Sequence, residues 1–251
     1  MDKQLLEELK KQIGKECRTI TLYMTNNTID CDVTDLQVSK VIGAPFFPKS
    51  MVEEYPYTEN GIPMVMLVQI NFAEVPPMEG FPTSGLLQLY VNPFDWNEGS
   101  DIVIYWNEEQ LKEESIDVYE EILKGVLEDV EFYLPAQHVH TMQFSEGVSY
   151  SAAEDKSYAR QLSLMAKKYS SDVVEKFVKE CPVEFGSRIG GYSDFTQYDP
   201  RRKVNDIVQL LQLDSEEGIN FYDCGILHIF INRAELKKGN FENSVMYVDF
   251  Y

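Results

Sequence analysis

The feature that most constrains this chain is that it repeats itself, so the unit to explain is half the molecule and not the whole. Residues 64–71 read MVMLVQIN and residues 207–214 read IVQLLQLD, while 84–92 read SGLLQLYVN and 224–232 read CGILHIFIN. Six of these 17 aligned positions are identical: Val65/Val208, Leu67/Leu210, Gln69/Gln212, Gly85/Gly225, Leu87/Leu227 and Asn92/Asn232. An Ile-Gly step precedes each block, at Ile42-Gly43 and at Ile189-Gly190-Gly191. A further apolar run follows each, IVIYW at 102–106 and VMYVDF at 245–250. Chance similarity between β-rich stretches can imitate one such feature but not four in the same order. The expectation is a single domain over 1–251 with a tandem-duplicated β unit. Repeat A covers about 36–107, a helical or extended connection 108–184, and repeat B about 185–251.

The local patterns agree. Segments 18–24, 64–72, 85–92, 102–106, 207–213, 225–232 and 245–250 are rich in β-branched and aromatic residues and bounded by Pro, Gly and Asn, which predicts strands. Leu5, Leu9 and Ile13 at helical spacing predict a helix over 3–14. A second helix is expected over 108–131 and a third over 153–180, broken near Ser170-Ser171; 131–150 reads as extended. Residues 73–83, AEVPPMEGFPT, form a stiff proline-rich excursion. Helices fall outside the repeats, and no strand-helix-strand rhythm recurs. The expected class is therefore mainly β (α+β): antiparallel, roll-like sheets related by a pseudo-two-fold, flanked by a few helices.

Charge narrows the partners. Lys and Arg number 22 against 42 Asp and Glu, a formal charge of −20. Nucleic acid and anionic membrane surfaces are repelled by such a chain. The densest basic cluster, Arg201-Arg202-Lys203, stands between Asp199 and Asp206. No apolar run is long enough for a secretory signal or a membrane span. Cys17, Cys31, Cys181 and Cys224 are scattered, with no Cys-x-x-Cys pair, which reads as reduced thiols in a cytoplasmic protein.

Four segments carry a resemblance. RIGGYSDFTQYDPR followed by VQLLQLDSEEGINFYDCGILHIFIN, together with VIGAPFFP and MLVQINFAEVP, resembles the YwqG-like family of uncharacterised bacterial cytosolic proteins over roughly 36–251. The resemblance implies a mainly β, roll-like fold with internal pseudo-symmetry. It brings no activity, cofactor or catalytic residue. Ser193 stands where the family pattern has Pro, and Ala44 replaces the second Gly of the first half.

The densest set of hydrogen-bonding side chains is the stretch from Gly190 to Arg202. Gly190 and Gly191 permit close backbone approach, and Asp194, Gln197, Asp199 and Arg201 can converge with Gln212 and Asp214 at the end of the next strand. Tyr192, Phe195 and Tyr198 supply an apolar wall. These residues can anchor a carboxylate or phosphate on Arg201 or Arg202, or they can lock the loop on itself. Strand alternation places Gln69 with Val65 and Leu67, and Gln212 with Val208 and Leu210. Gln69, Asn71, Gln212 and Asp214 then form either a polar cluster between the halves or satisfied sheet ends.

His138 and His140 share a strand face, and a carboxylate such as Glu146 could join them at a metal, against an ordinary packing role. His228 aligns with Gln88 and reads as a core hydrogen-bonding residue. Cys224, beside Asp223, has no convincing His partner. No catalytic residue, metal or cofactor is assigned. The acidic stretch 108–131 is expected as an exposed helix face suited to a basic protein. Three functions follow: an acidic interaction or regulatory protein, such as an inhibitor or immunity-type partner of a basic protein; a binding module for a small polar or anionic ligand at 190–202; or an enzyme using Asp199, Asp214 or Asp223.

Overall fold

The computed structural model describes residues 1–28, 35–97, 99, 101–127, 134–201 and 206–250. Its ten strands are β1 Lys15–Thr28, β2 Lys40–Val41, β3 Val65–Asn71, β4 Leu86–Val91, β5 Ile102–Trp106, β6 His138–Ser149, β7 Arg188–Gly190, β8 Ile207–Asp214, β9 Ile226–Asn232 and β10 Val245–Asp249. All pair antiparallel in one sheet of order β10-β9-β8-β7-β1-β6-β2-β3-β4-β5. The sequence suggested a sheet in each half; the long pair β1·β6, which lies outside both repeats, fuses them into one. Read from the centre outward, the order is symmetric: β6-β2-β3-β4-β5 on one side and β1-β7-β8-β9-β10 on the other.

Register carries the same symmetry. Lys40 pairs with Gln69, and Arg188 with Gln212. Gln69 pairs with Gln88, and Gln212 with His228. Even the irregularities match, because the β3·β4 register slips between Met66 and Val68 and the β8·β9 register between Gln209 and Leu211. The extra residue is Leu67 in one half and Leu210 in the other. Each bulge bends its strand and strengthens its twist, and the sheet curls into a half-barrel. The bulge also overturns the simple alternation. Gln69 shares a face with Met66, not with Val65 and Leu67, and Gln212 likewise shares one with Gln209.

The curl brings the outermost strands together. Met246 N donates to Asp101 Oδ2 at 3.1 Å, and the Tyr105 and Phe241 rings lie 4.6 Å apart. One apolar core joins both halves, with Leu67, Leu89, Leu211 and Ile229 all buried in it. A second, smaller core lies under helices α1 (Lys3–Ile13), α3 (Lys156–Lys168) and α4 (Ser171–Glu180), where Leu9, Ile13, Met165, Phe177 and Tyr192 are buried. The expected helix over 153–180 is thus two helices, with the break at Ser170.

Two further elements depart from expectation. The stretch 108–131 is not one helix. Gln110–Lys112 form a single tight turn, Ser115 bridges to Pro48, and among the described residues of the stretch the longer helical part is Tyr119–Leu123 followed by α2 (Lys124–Leu127). Phe47 N donates to Ser115 Oγ and Ile116 N to Phe47 O, so the backbone there is held extended. Asp117 starts the helical part by accepting from Glu120 N. Residues 128–131 lie outside the described residues, as do Cys31, Arg202 and Lys203. Helix α5 (Arg233–Lys238) follows β9, capped by Asn232 and ended by Gly239 in the left-handed region at φ 69°. Asn92 plays the same local role in the first half, accepting from Phe94 N.

Candidate functional site

The segment 190–201 is built as two buried charge clusters on the end of the second half-sheet. β8 provides Gln212, completely buried, whose Oε1 accepts from Asp194 N at 2.9 Å and whose Nε2 donates to Gly186 O at 2.9 Å and Asp194 Oδ2 at 3.2 Å. Arg188 on β7 pairs with the same carboxylate. Burial pushes the Asp194 carboxyl up, and this outweighs the opposing pull of Arg188. Asp214, two residues on from Gln212, accepts from the Ser215 and Gly186 backbone amides; its own backbone N donates to Ser187 Oγ, and burial raises its pKa.

The second cluster joins the loop to the helical layer. Asp199 Oδ1 accepts from Arg201 N and Nε at 2.9 and 2.8 Å, and Asp199 Oδ2 accepts from Lys156 N at 3.0 Å. Arg201 also bonds Asp155 Oδ2 at 2.8 Å. Asp155 is the N-cap of α3, accepting from Ser157 N and Tyr158 N through its other oxygen. Burial pushes the Asp155 carboxyl up, but Arg201, Ser157 and the Ser193 amide together hold it below its ordinary value. The guanidinium lies 4.7 Å from the Phe230 ring centroid and 5.4 Å from that of Phe195. Gln197 Nε2 donates to Phe250 O, and its backbone N to Asp249. Gly190 and Gly191 take positive φ, 69° and 74°, and any Cβ there would press on Met78 or on Cys17 and Ser149.

The expected residues Asp194, Gln197, Asp199, Arg201 and Gln212 therefore bond to one another, to Asp155 or to the backbone, while Arg202 lies outside the described residues. Gln69 does not join them. Its Nε2 donates to Leu36 O and Val38 O, and its Oε1 accepts from Gln88 Nε2, all within the first half. His228 is completely buried between the clusters. Burial, then the charges of Arg201 and Arg188, lower its pKa to about 3, so the ring is neutral at ordinary pH. Lys15 Nζ sits 4.1 Å above the Tyr192 ring and donates to Ser157 Oγ; burial lowers its pKa to about 8.

The open space lies elsewhere. A cavity of about 440 Å³ is lined by residues 94–96, 134, 135, 220 and 222, where loops of the two halves meet. Trp96 and Tyr222 stack there with centroids 4.8 Å apart. A second cavity, about 270 Å³, lies among Leu36, Ala44, Pro45 and residues 115–120. Neither is lined by residues of 190–201. Sequence reasoning passed over Phe94, Asp95, Trp96 and Tyr222. The available signal was aromatic residues inside turn-forming runs, Asn92-Pro93-Phe94-Asp95-Trp96 and Asn220-Phe221-Tyr222-Asp223. It also passed over Asp155, although Asp155-Lys156-Ser157 at the start of the helical stretch is a cap pattern.

The acidic stretch is exposed at Glu108, Glu109, Glu113, Glu114, Asp117, Glu120 and Glu121, while Ile116, Val118 and Leu123 are buried beneath it. Among the described residues no group of three or more His, Cys, Asp or Glu is placed to hold a metal ion, and no helix is long and apolar enough to cross a membrane. His140 is buried, with Nδ1 2.6 Å from His138 O, and burial lowers its pKa.

A mainly β, curled antiparallel sheet with internally closed charge clusters defines a structural class without naming a reaction. Residues 39–249 match the family model described as a domain of unknown function, DUF1963, and the chain belongs to that family. No curated protein matches the chain.

Proposed function

We propose that this protein is an acidic interaction or regulatory protein that captures a basic protein, as an inhibitor or immunity-type partner would. One observation carries this reading: exposed carboxylates between Glu108 and Glu121 are held on a fixed frame. Ile116, Val118 and Leu123 anchor the stretch in the core, and its backbone bonds to Phe47. Surface carboxylates on a rigid base raise the association rate and selectivity for a cationic partner without ordering a disordered chain first. The reading is also supported by what 190–201 lacks. A small anion there would have to displace Asp155 and Asp199 from Arg201, two carboxylates already bonded to it. The motifs around Ile189-Gly190-Gly191 and Thr196-Gln197 support placing the chain, within its family, among YwqG-like bacterial cytosolic proteins.

The test is capture of partners from a native lysate, identification by mass spectrometry, and titration with the purified partner. Glu108→Lys, Glu113→Lys and Glu114→Lys are combined, leaving out Asp117 because it caps a helix. The expected partner is basic, its affinity falls as salt rises, and the triple variant binds at least about tenfold more weakly. A partner bound equally well by the triple variant, or at every salt concentration, removes the reading.

A further inference from the structure

The cavity between the halves has the makings of a site for one kind of group. Its ring surface comes from Phe94 and from Tyr222, which remains 44% exposed although stacked on Trp96 and packed at a tilt against Phe250. Asp95 supplies a carboxylate at the rim and is exposed. Leu134 and Pro135 form an apolar wall, and among the described residues no lining residue is cationic. Aromatic faces beside a carboxylate attract a cation, and a planar guanidinium gains from stacking as well as from charge. The volume, about 440 Å³, falls in the range of real ligand sites and exceeds what a single ammonium needs.

The backbone is bent to make this arrangement. Tyr222 has φ 61° and Cys224 φ 49°, two non-glycine residues in the left-handed region within three positions. For a bulky residue such as Tyr this is a true outlier, and strained backbone of this kind persists where the surroundings enforce it, often at binding sites. Here it sets the ring of a second-half loop on the indole of a first-half loop.

We infer that this cavity receives an arginine side chain of a partner protein, the guanidinium between Asp95 and the Tyr222 and Phe94 rings, and the methylene stem along Leu134 and Pro135. The site goes beyond the acidic stretch, since none of its lining residues lies in 107–121, and a small probe tests it without any partner protein.

The chain has two tryptophans, so an amide-detected NMR spectrum shows two indole signals, assignable with Trp96→Phe. Titration with Nα-acetyl-arginine amide should move the Trp96 indole and leave that of buried Trp106 in place. The neutral citrulline analogue should be at least about tenfold weaker. Asp95→Asn and Tyr222→Gly should each weaken the arginine probe several-fold. Tyr222→Gly relieves the positive φ but gives up the ring's packing on Trp96 and Phe250, so its fold is checked by the dispersion of the same spectrum, while Asp95→Asn, at an exposed side chain, tests the site without that loss. Equal shifts from arginine and citrulline, movement of both indoles together, or no movement at saturating probe would overturn the inference. Choline binding more tightly than the arginine probe would overturn it too, by assigning the cavity to a free organic cation.

Discussion

Phe47 in the first half and Phe195 in the second occupy equivalent positions, each beside a ring of the fourth or ninth strand, Tyr90 or Phe230. What lies over these rings differs. In the first half it is Tyr55, 5.0 Å from Phe47 and 5.7 Å from Tyr90, its hydroxyl donating to Met64 O. In the second half it is Arg201, held by Asp155 and Asp199. The neighbouring positions diverge in the same sense. Phe46 and Gln88 of the first half correspond to Asp194 and His228 of the second, while a buried cation, Lys40 or Arg188, stands at the matching position of both. One unit is closed by aromatic packing and the other by buried ion pairs. An aromatic lid needs only its own half, whereas the carboxylate at Asp155 comes from the helical layer, so the ionic lid ties that layer to the sheet. Buried pairs add little net stability when intact but cost much when one partner goes. The second half should therefore be the brittle one.

The largest effect tests this directly. Arg201→Met leaves Asp155 and Asp199 buried without their cation and should cost about 3–5 kcal/mol in urea unfolding. Tyr55→Phe removes one hydrogen bond from the matching lid and should cost about 1 kcal/mol. Similar losses for the two variants would show that the lids are not different in kind.

The glutamines sharpen the same contrast. Gln212→Leu strands Asp194 N and Gly186 O and strips a donor from a buried carboxylate; Gln69→Leu strands only neutral groups. Both should cost about 1–3 kcal/mol, with Gln212 at the upper end. A Gln69 variant less stable than the Gln212 variant would reverse the ranking of the halves.

What the sequence made legible follows from which signals are local. Strand positions and the duplication could be read because β-branched runs and the repeated Gln and Gly positions are visible one segment at a time. The fusion through β1·β6 could not, because it pairs Lys15 with Ser149, residues that resemble nothing in each other. The acidic stretch carries a helical pattern in Ile116, Tyr119 and Leu123, three and four apart, yet Ser115 and Ile116 are drawn out by Phe47. Helix α5 carried its own start and stop, Asn232 and Gly239, but followed a strand so closely that the repeat pattern hid it. At 190–201 the residues were identifiable as a cluster, yet their main partner, Asp155, lies 46 positions from Arg201. Only the tertiary fold supplies that pairing.

His228 offers a smaller, pH-resolved comparison with Gln88. Its folded pKa, about 3, lies below the ordinary value of 6.5. Above pH 6.5 both folded and unfolded forms are neutral and the group has no effect on stability. As pH falls below 6.5 the unfolded chain takes up a proton that the folded one refuses, so stability drops, by at most about 1.4 kcal/mol per pH unit, until pH nears 3. His228→Gln installs the residue of the first half and should flatten that part of the curve, leaving neutral-pH stability nearly unchanged. An unaltered slope between pH 6.5 and 4 would place the acid sensitivity elsewhere.

The smallest effect on stability should come from the acidic stretch. Changing Glu108, Glu113 and Glu114 to Lys alters the formal charge from −20 by six, to −14. All three are exposed, and Glu114 pairs with Lys49 at 3.5 Å with both side chains largely in solvent. Exposed pairs of this kind contribute little, and surface substitutions away from caps and cores fall within about 0.5 kcal/mol. Relief of like-charge repulsion could even offset the lost pair. The variant should therefore unfold with the parent while losing its basic partner, and Arg201→Met, assayed where it is still folded, should do the reverse. If instead the triple variant were destabilised as much as Arg201→Met, the carboxylates would belong to the fold, and the division between a structural second half and a presenting first half would collapse.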